Sequence, residues 1–384
     1  MTRSFRRAVW MDIHRDIRRP EDAVAFVDWC GRHEITLAFP CVNHCTGFMT
    51  YPSDLAPRSI ATDAWDPTAE TLARCKDAGI ESHVWVCIGN WGGPKIDPAD
   101  LSAKGPRTLH EAHPDWFCTD QNSASMLDGD SKYAFVNPAR EDVRAFHVKL
   151  CGEILDRYAF EGYHLDYIRY HFKTTKELGR KKEAYAGGDE PPVVDLAGSE
   201  RLSFDEATLR AFDEESGIGL FAAGDDLAAR VAWLYADEAR REAWYAWKAS
   251  QVTTLVRQLA KATRGRGRDL SAAVFSGYPW CGQEVAQRWP AWVDEKLLDL
   301  AVPMDYGVEL DEYAAHLENQ HSHMHVKPKP ATPTISGIGI FATYKHLSPA
   351  EANAKLEKQE AIARAHNRVG VSLYCYSQAR ELWG

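Results

Sequence analysis

An α/β fold closed into a (β/α)8 TIM barrel, with a long insertion after the fourth strand, is what this sequence predicts. Three observations carry the expectation. Short β-rich runs alternate with amphipathic helical patterns along the whole chain, as parallel βα units do. Eight strands with seven helices between them can be traced, and eight strands is the number that closes a barrel. Several runs also pass abruptly from apolar to charged or aromatic residues, as strands do whose carboxyl ends open into a polar cleft. With 384 residues and 45% hydrophobic content, the chain has ample material for one such core. Residues 1–384 are therefore read as a single barrel domain.

The strands are expected at residues 8–13, 36–42, 82–88, 162–166, 270–275, 298–304, 332–338 and 370–376. Helices are expected at 20–33, 68–78, 140–158, 244–263, 284–296, 311–321 and 349–367. Pro20 and Pro349 suit first helical turns, where no amide hydrogen is missed, and Gly79 suits a helix stop. Between the fourth strand and its helix lies the insertion, 172–242, with a Gly/Pro-rich segment at 187–192 and charged helical pieces at 213–216 and 225–241. A connection this long on the carboxyl face of a barrel reads as a lid or cleft wall.

The net charge of −10 argues against a nucleic-acid partner, because phosphate neutralisation needs clustered Lys and Arg. No apolar run reaches the length of a membrane span, so no membrane partner is expected. The stretch from Met1 to Arg7 lacks the apolar segment and cleavage site of a signal peptide. Nine cysteines without a CxxC motif suit reduced, buried thiols better than a zinc ribbon, and a cytoplasmic setting is expected. No cofactor is implied.

The residues just past each strand make a coherent set. They are Asp12 and His14, Asn43 and His44, Asn90 and Trp91, Asp166 and Arg169, Ser276, Tyr278 and Trp280, Asp305 and Tyr306, and Tyr376 and Gln378. Carboxylates, amide and imidazole donors and flat aromatic faces suit a carbohydrate substrate. Polar groups bridge its hydroxyls while its C–H faces stack on Trp or Tyr. A lone strand-end Asp also serves as a helix cap or ion-pair partner, and Trp91 and Trp280 also suit wall packing. Asp166 stands out because Arg169 and Tyr170 follow it and the long insertion comes next. Two carboxylates from different strands are what glycoside cleavage needs.

Several segments, in order, resemble the glycosyl-hydrolase-like family 10 proteins. They are Arg7-Ala8-Val9-Trp10, the run 79–86, His113-Pro114-Asp115-Trp116, Val136-Asn137-Pro138, the segment 162–170 and the strand 298–306. The resemblance spans about 7–377, with 162–170 its most specific part. It implies a (β/α)8 barrel that hydrolyses carbohydrate, with Asp166 as a nucleophile-like carboxylate. The alpha-amylase clan places its acid/base Glu at the end of strand five, where this chain reads Val274-Phe275-Ser276-Gly277-Tyr278 with no carboxylate before Glu284. The alpha-galactosidase clan pairs carboxylates of strands four and six, which is similar to Asp166 with Asp305. Glu309 and Asp12 are substitutes for the second carboxylate.

Two other readings compete. A metal-dependent barrel hydrolase would use His321, His323 and His325, whose alternation suits one strand face. They follow a helix, however, and precede Lys327-Pro328-Lys329-Pro330 on the amino-terminal side of strand seven. No metal ligand is assigned. A barrel that binds glycans without cleaving them fits the missing strand-five Glu, since fold alone does not guarantee activity.

Overall fold

The computed structural model describes residues 5–43, 45, 47–93, 96–128, 133–172, 202–307, 309–327, 330 and 332–384. Among them, eight strands close in sequence order into a barrel: β1 (Arg6–Asp12), β2 (Ile35–Asn43), β3 (Glu81–Cys87), β4 (Gly162–Asp166), β5 (Asp269–Phe275), β6 (Leu300–Met304), β7 (Ile335–Gly339) and β8 (Gly370–Tyr374). Every pairing is parallel. All eight expected strands are present, with ends displaced by at most three residues.

Side chains alternate across each strand, and this alternation builds two cores. Ala8, Trp10, Leu37, Phe39, Cys41, Trp85, Cys87, Ala273, Leu300, Val302 and Ile335 fill the barrel interior. Their sequence neighbours Val9, Met11, Val84, Val86, Leu165, Leu270 and Val274 face out and join the core under the helices.

A buried polar chain crosses the interior. Trp10 Nε1 donates to His164 Nε2 at 3.0 Å, His164 Nδ1 lies 2.8 Å from Ser271 Oγ, Ser271 Oγ lies 2.9 Å from His83 Nδ1, and His83 Nε2 lies 3.0 Å from Glu81 Oε1. Because indole nitrogen only donates, His164 must accept at Nε2 and carry its hydrogen on Nδ1. The Ser271 hydrogen then points to His83. Burial holds His164 well below the usual imidazole range, in keeping with a neutral ring. Gly162 is required here, since a Cβ at that position would lie 2.5 Å from the His83 ring.

The helices start where capping chemistry permits. Asp66 accepts from the Ala69 amide with Pro67 at the first position, and Ser348 with Glu351 forms a capping box before Pro349, satisfying otherwise orphaned amides. The helix expected at 244–263 begins earlier, as Glu238–Arg264, because the Asp237 side chain accepts from the Arg240 amide. The expected boundary at 242 therefore falls inside it. The helix expected at 284–296 is instead two short ones, Trp280–Glu284 and Trp289–Asp294. Between them Ala286 takes a left-handed φ of 59°, and Pro290 lacks the amide hydrogen a continuous helix would use.

The described part of the insertion, from 202 on, carries helices Glu206–Ser216 and Leu227–Tyr235. They pack around their own cluster of Phe204, Leu209, Phe212, Leu220, Val231, Leu234 and Trp244. The cluster is tied to the β3–β4 connection by an Asp120–Leu202 bridge and by Asn137 Nδ2, which donates to Asp205 and Thr208 at 2.7 and 2.8 Å. The remainder, 173–201, with the segment at 187–192, lies outside the described residues. No described helix is long and apolar enough to cross a membrane.

Candidate active site

On β4 the inward residues are Gly162, His164 and Asp166, so the alternation that places His164 in the interior also delivers Asp166 to the barrel mouth. Asp166 is 9% exposed. Its Oδ1 accepts from the Tyr167 amide at 2.6 Å and its Oδ2 from Trp85 Nε1 at 3.1 Å. Burial pushes this carboxyl above the usual aspartate range, against the opposing pull of the Tyr167 amide, the Arg169 charge and the Trp85 indole. Tyr167 itself sits at φ 50°. A non-glycine residue there is strained, and such strain persists only where the surroundings hold it. Here Ile88 and Gly89 amides bind the Asp166 and Tyr167 carbonyls at 2.7 and 3.0 Å.

Arg169 is buried, with its guanidinium over Phe275 at 4.6 Å, Tyr167 at 4.9 Å and Phe135 at 5.7 Å. Its NH1 donates to the Tyr170 carbonyl at 3.1 Å, and among the described residues its Nε has no partner. Burial lowers its pKa. Arg169 thus acts on Asp166 through its field, with the cation held by ring faces.

Asp12 is the inward end of β1 and pairs in register with Cys41 on β2, while Asp166 pairs with Cys87 on β3. The Cys41 thiol feels both carboxylates, and burial is the main cause that pushes it up to about 12. Cys41, Cys45 and Cys87 are thus neutral thiols lining the wall between the two aspartates, with Cys45 Sγ 3.8 Å from the Tyr167 hydroxyl. Asp12 Oδ1 also caps the following turn by accepting from the His14 amide at 3.1 Å. The opposite wall is aromatic. Tyr306 and Tyr374 lie 5.3 Å apart, and Trp10 contacts them at 6.3 and 5.9 Å. Trp85 reaches Tyr374 at 6.2 Å.

Several expected residues lie elsewhere. Asp305 is 2% exposed and turned out of the barrel. Leu300, Val302 and Met304 are the inward side chains of β6, so position 305 faces the helices. Its Oδ1 accepts from Gln320 Nε2 at 2.7 Å and its Oδ2 from Ser336 Oγ. Asn43 is consumed by the Cys87 backbone, donating to its carbonyl at 2.9 Å and accepting from its amide at 2.6 Å. This clasp closes the register shift between β2 and β3.

Asn90 holds the Cys45 carbonyl at 2.9 Å and accepts from Gly92 and Ala134 amides. Trp91 is core, packed on Phe146 and His147 with its Nε1 on the Ile88 carbonyl. Tyr376 is also core, against Phe26 and Trp29. Strand β8 stops two residues short of it, leaving Tyr374 as the inward ring. Glu309 is exposed and paired with Lys355 at 2.8 Å.

Three other expected residues lie past their strand ends in aromatic contacts. His14 packs edge-on against Phe48 at 4.7 Å. Trp280 is 44% exposed and meets Phe275 at 5.3 Å. Half-buried Tyr278 rests on His323 at 4.8 Å. His44 lies outside the described residues. His321 ends the helix Leu310–Ser322, and no group of three or more His, Cys, Asp or Glu among the described residues is arranged to hold a metal. Sequence reasoning passed over Trp85, Tyr167, Cys41, Cys87 and Tyr374. Counting back by two from the expected end at 376 finds Tyr374, whereas the expected ends at 42 and 88 are one residue out of phase with Cys41 and Trp85.

The chain is similar in fold to the glycoside hydrolase domain of PgaB (BpsB) from Bordetella bronchiseptica, at 12% identity over 98% of this chain and 96% of that one, with a TM-score of 0.60. It is likewise similar to the catalytic domain of a beta-amylase from Paenibacillus polymyxa, at 10% identity over 98% and 94% of the two chains, TM-score 0.58. A third likeness is to alpha-L-fucosidase isoenzyme 2 from Paenibacillus thiaminolyticus, at 11% identity over 98% of this chain and 46% of that one, TM-score 0.54. No curated protein matches the sequence significantly. The family profile described as "Glycosyl hydrolase-like 10" matches residues 7–355, within the 7–377 over which the sequence resemblance runs, and the chain belongs to that family.

Proposed function

We propose that this protein is a glycoside hydrolase that cleaves a bond within an oligo- or polysaccharide, with Asp166 as its essential carboxyl. The observation that carries this is the setting of Asp166: inward on β4, buried, raised in pKa, and oriented by Trp85 and the Tyr167 amide. A carboxyl raised by burial is suited to holding a proton and giving it to a leaving oxygen. Asp166 is therefore assigned the acid role rather than the nucleophilic one the resemblance implies. Asp12 replaces Asp305 as the second carboxylate, since both Asp12 and Asp166 act on the Cys41 thiol between them. Whether Asp12 attacks directly or activates water follows from their separation on substrate, about 5–5.5 Å for retention and roughly 6.5–9.5 Å for inversion. Trp10, Tyr306 and Tyr374 offer ring faces to the sugar, and the described part of the insertion, 202–242, is read as a flank of the cleft.

A glycan-binding barrel without activity is the second reading. It is favoured by the absence of a carboxylate at the β5 end and by the outward turn of Asp305. A panel of oligosaccharides and aryl glycosides, with Asp166→Asn as control, separates the two. Release of reducing ends by the native protein and not by the variant supports hydrolysis. Binding by both without release supports the second reading.

A further inference from the structure

Beyond the barrel mouth, a groove of about 590 Å³ lies between the short helix Ile340–Thr343 and the helix Tyr376–Trp383. Phe341, Lys345, Leu347, Gln378 and Glu381 line it. Phe341 is 44% exposed, an unusual place for a phenylalanine in a protein that buries most of its rings. Among the described residues, Gln378 Oε1 is buried with no hydrogen-bond partner. Buried acceptors are nearly always satisfied, so an orphan of this kind points to a missing donor. Lys345 adds a donor and Glu381 an acceptor at the rim.

One ring of the groove also packs on the aromatic wall of the mouth. Phe341 packs against Tyr306 at 5.6 Å and Tyr374 at 6.1 Å, Tyr374 reaches Trp85 at 6.2 Å, and Trp85 donates to Asp166. We infer that the groove is a remote subsite for a distal sugar of a linear glycan whose reacting bond lies at Asp166. The ring of Phe341 takes the sugar's C–H face, and the Gln378 side-chain amide, turning its unpaired Oε1 toward the groove, accepts a sugar hydroxyl. A hydroxylated ring with one apolar face matches this set; an anion would be opposed by Glu381, and a purely apolar ligand would leave Gln378 unpaired. The inference rests on the hydrolase reading and deepens it, making the substrate a chain rather than a disaccharide.

The test uses the full chain and the linear oligosaccharide cut in the panel, taken as a series of increasing length. For the native protein, KM should fall as length grows. Phe341→Ala should raise KM for the long oligomers about tenfold, the loss of one ring-stacking contact, with kcat and the kinetics of the shortest substrate unchanged. Gln378→Leu should act in the same sense and raise thermal stability, because it removes the orphan acceptor. If native hydrolysis occurs without length dependence, or if both variants keep the native dependence, the subsite is overturned while the hydrolase reading stands. If no glycan is cut by the native protein, the hydrolase reading fails, and the subsite falls with it unless Phe341→Ala weakens binding of the long oligomers.

Discussion

The ends of β4 and β6 both carry an aspartate after an apolar strand, and the two groups live in opposite surroundings. Asp166 continues the inward set and meets Trp85, the Tyr167 backbone and the field of a ring-bound arginine. Asp305 lies one position past the inward Met304 and meets Gln320, Ser336 and, at 3.9 Å, the His316 ring, while buried Arg368 reaches Gln320. The carboxylate at β6 is saturated by structural partners and screened from the mouth. At β4 the two donors leave lone pairs open, and burial keeps a proton within reach. A strand-end carboxylate thus faces the mouth or the helices according to its phase on the strand, more than its residue type.

Exchanging each aspartate should break the symmetry between them. Asp166→Asn should lower hydrolysis about a thousandfold, within the range for loss of a general acid, with the fold intact by circular dichroism. Its stability effect has a definite sign. The native Asp166 pKa is raised, so the folded state binds its proton more tightly than the unfolded state. The stability from this group is full below the unfolded value and is lost as pH rises through the folded one. At neutral pH the asparagine variant should therefore melt higher than the native protein; a lower melting temperature would refute the assigned environment.

Asp305→Ala should do the reverse. It strips the anion beside buried Arg368 and leaves Gln320 and Ser336 short of an acceptor, costing about 3 kcal/mol of stability in denaturant titration. Activity per folded molecule should stay near native at a temperature below the variant's melting point. A thousandfold loss there would restore Asp305 as the partner of Asp166.

Trp85→Phe sharpens the β4 side of the comparison. The indole hydrogen bond favours the ionised carboxylate, so its loss should raise the Asp166 pKa further. In the proposed acid role Asp166 must be protonated, and activity should then fall as pH rises through its pKa. The descending limb of the kcat/KM profile should lie above the ordinary aspartate value of about 4 and move to higher pH in Trp85→Phe, with about a tenfold drop in rate. An ascending limb governed by Asp166 would return it to the nucleophile role. The smallest effect is expected at Glu309, whose pair with Lys355 is exposed on the carboxylate side. Glu309→Ala should change stability by under about 1 kcal/mol and leave hydrolysis unaltered.

Much of this architecture was legible in the chain. The strands at 36–42, 82–88 and 162–166 are dense in β-branched, aromatic and small apolar residues, and the helices announce themselves through Pro20, Pro349 and Gly79. The split of the helix after β5 was legible only at Pro290, because Ala286 adopts a left-handed backbone that its side chain does not signal. Asn43 and Asn90 looked like ligand groups because amides at strand ends often are. Their actual partners, Cys87 and Cys45, lie 44 and 45 residues away, and no local pattern encodes such a clasp. Tyr376 was exchanged for Tyr374 by an error of two residues in where β8 ends.

By itself the sequence determined the βα alternation, the eight strands and the placing of Asp166 at the end of the fourth, because period and apolar content are local properties of the chain. Only the tertiary structure decided which way each strand end faces. Barrel closure and the register with neighbouring strands set the phase of the alternation, and a shift of one residue carries a side chain from the cleft to the helices. That phase leaves Asp166 in the mouth with Asp12 two strands' width of thiols away, and hands Asp305 to Gln320 and Ser336.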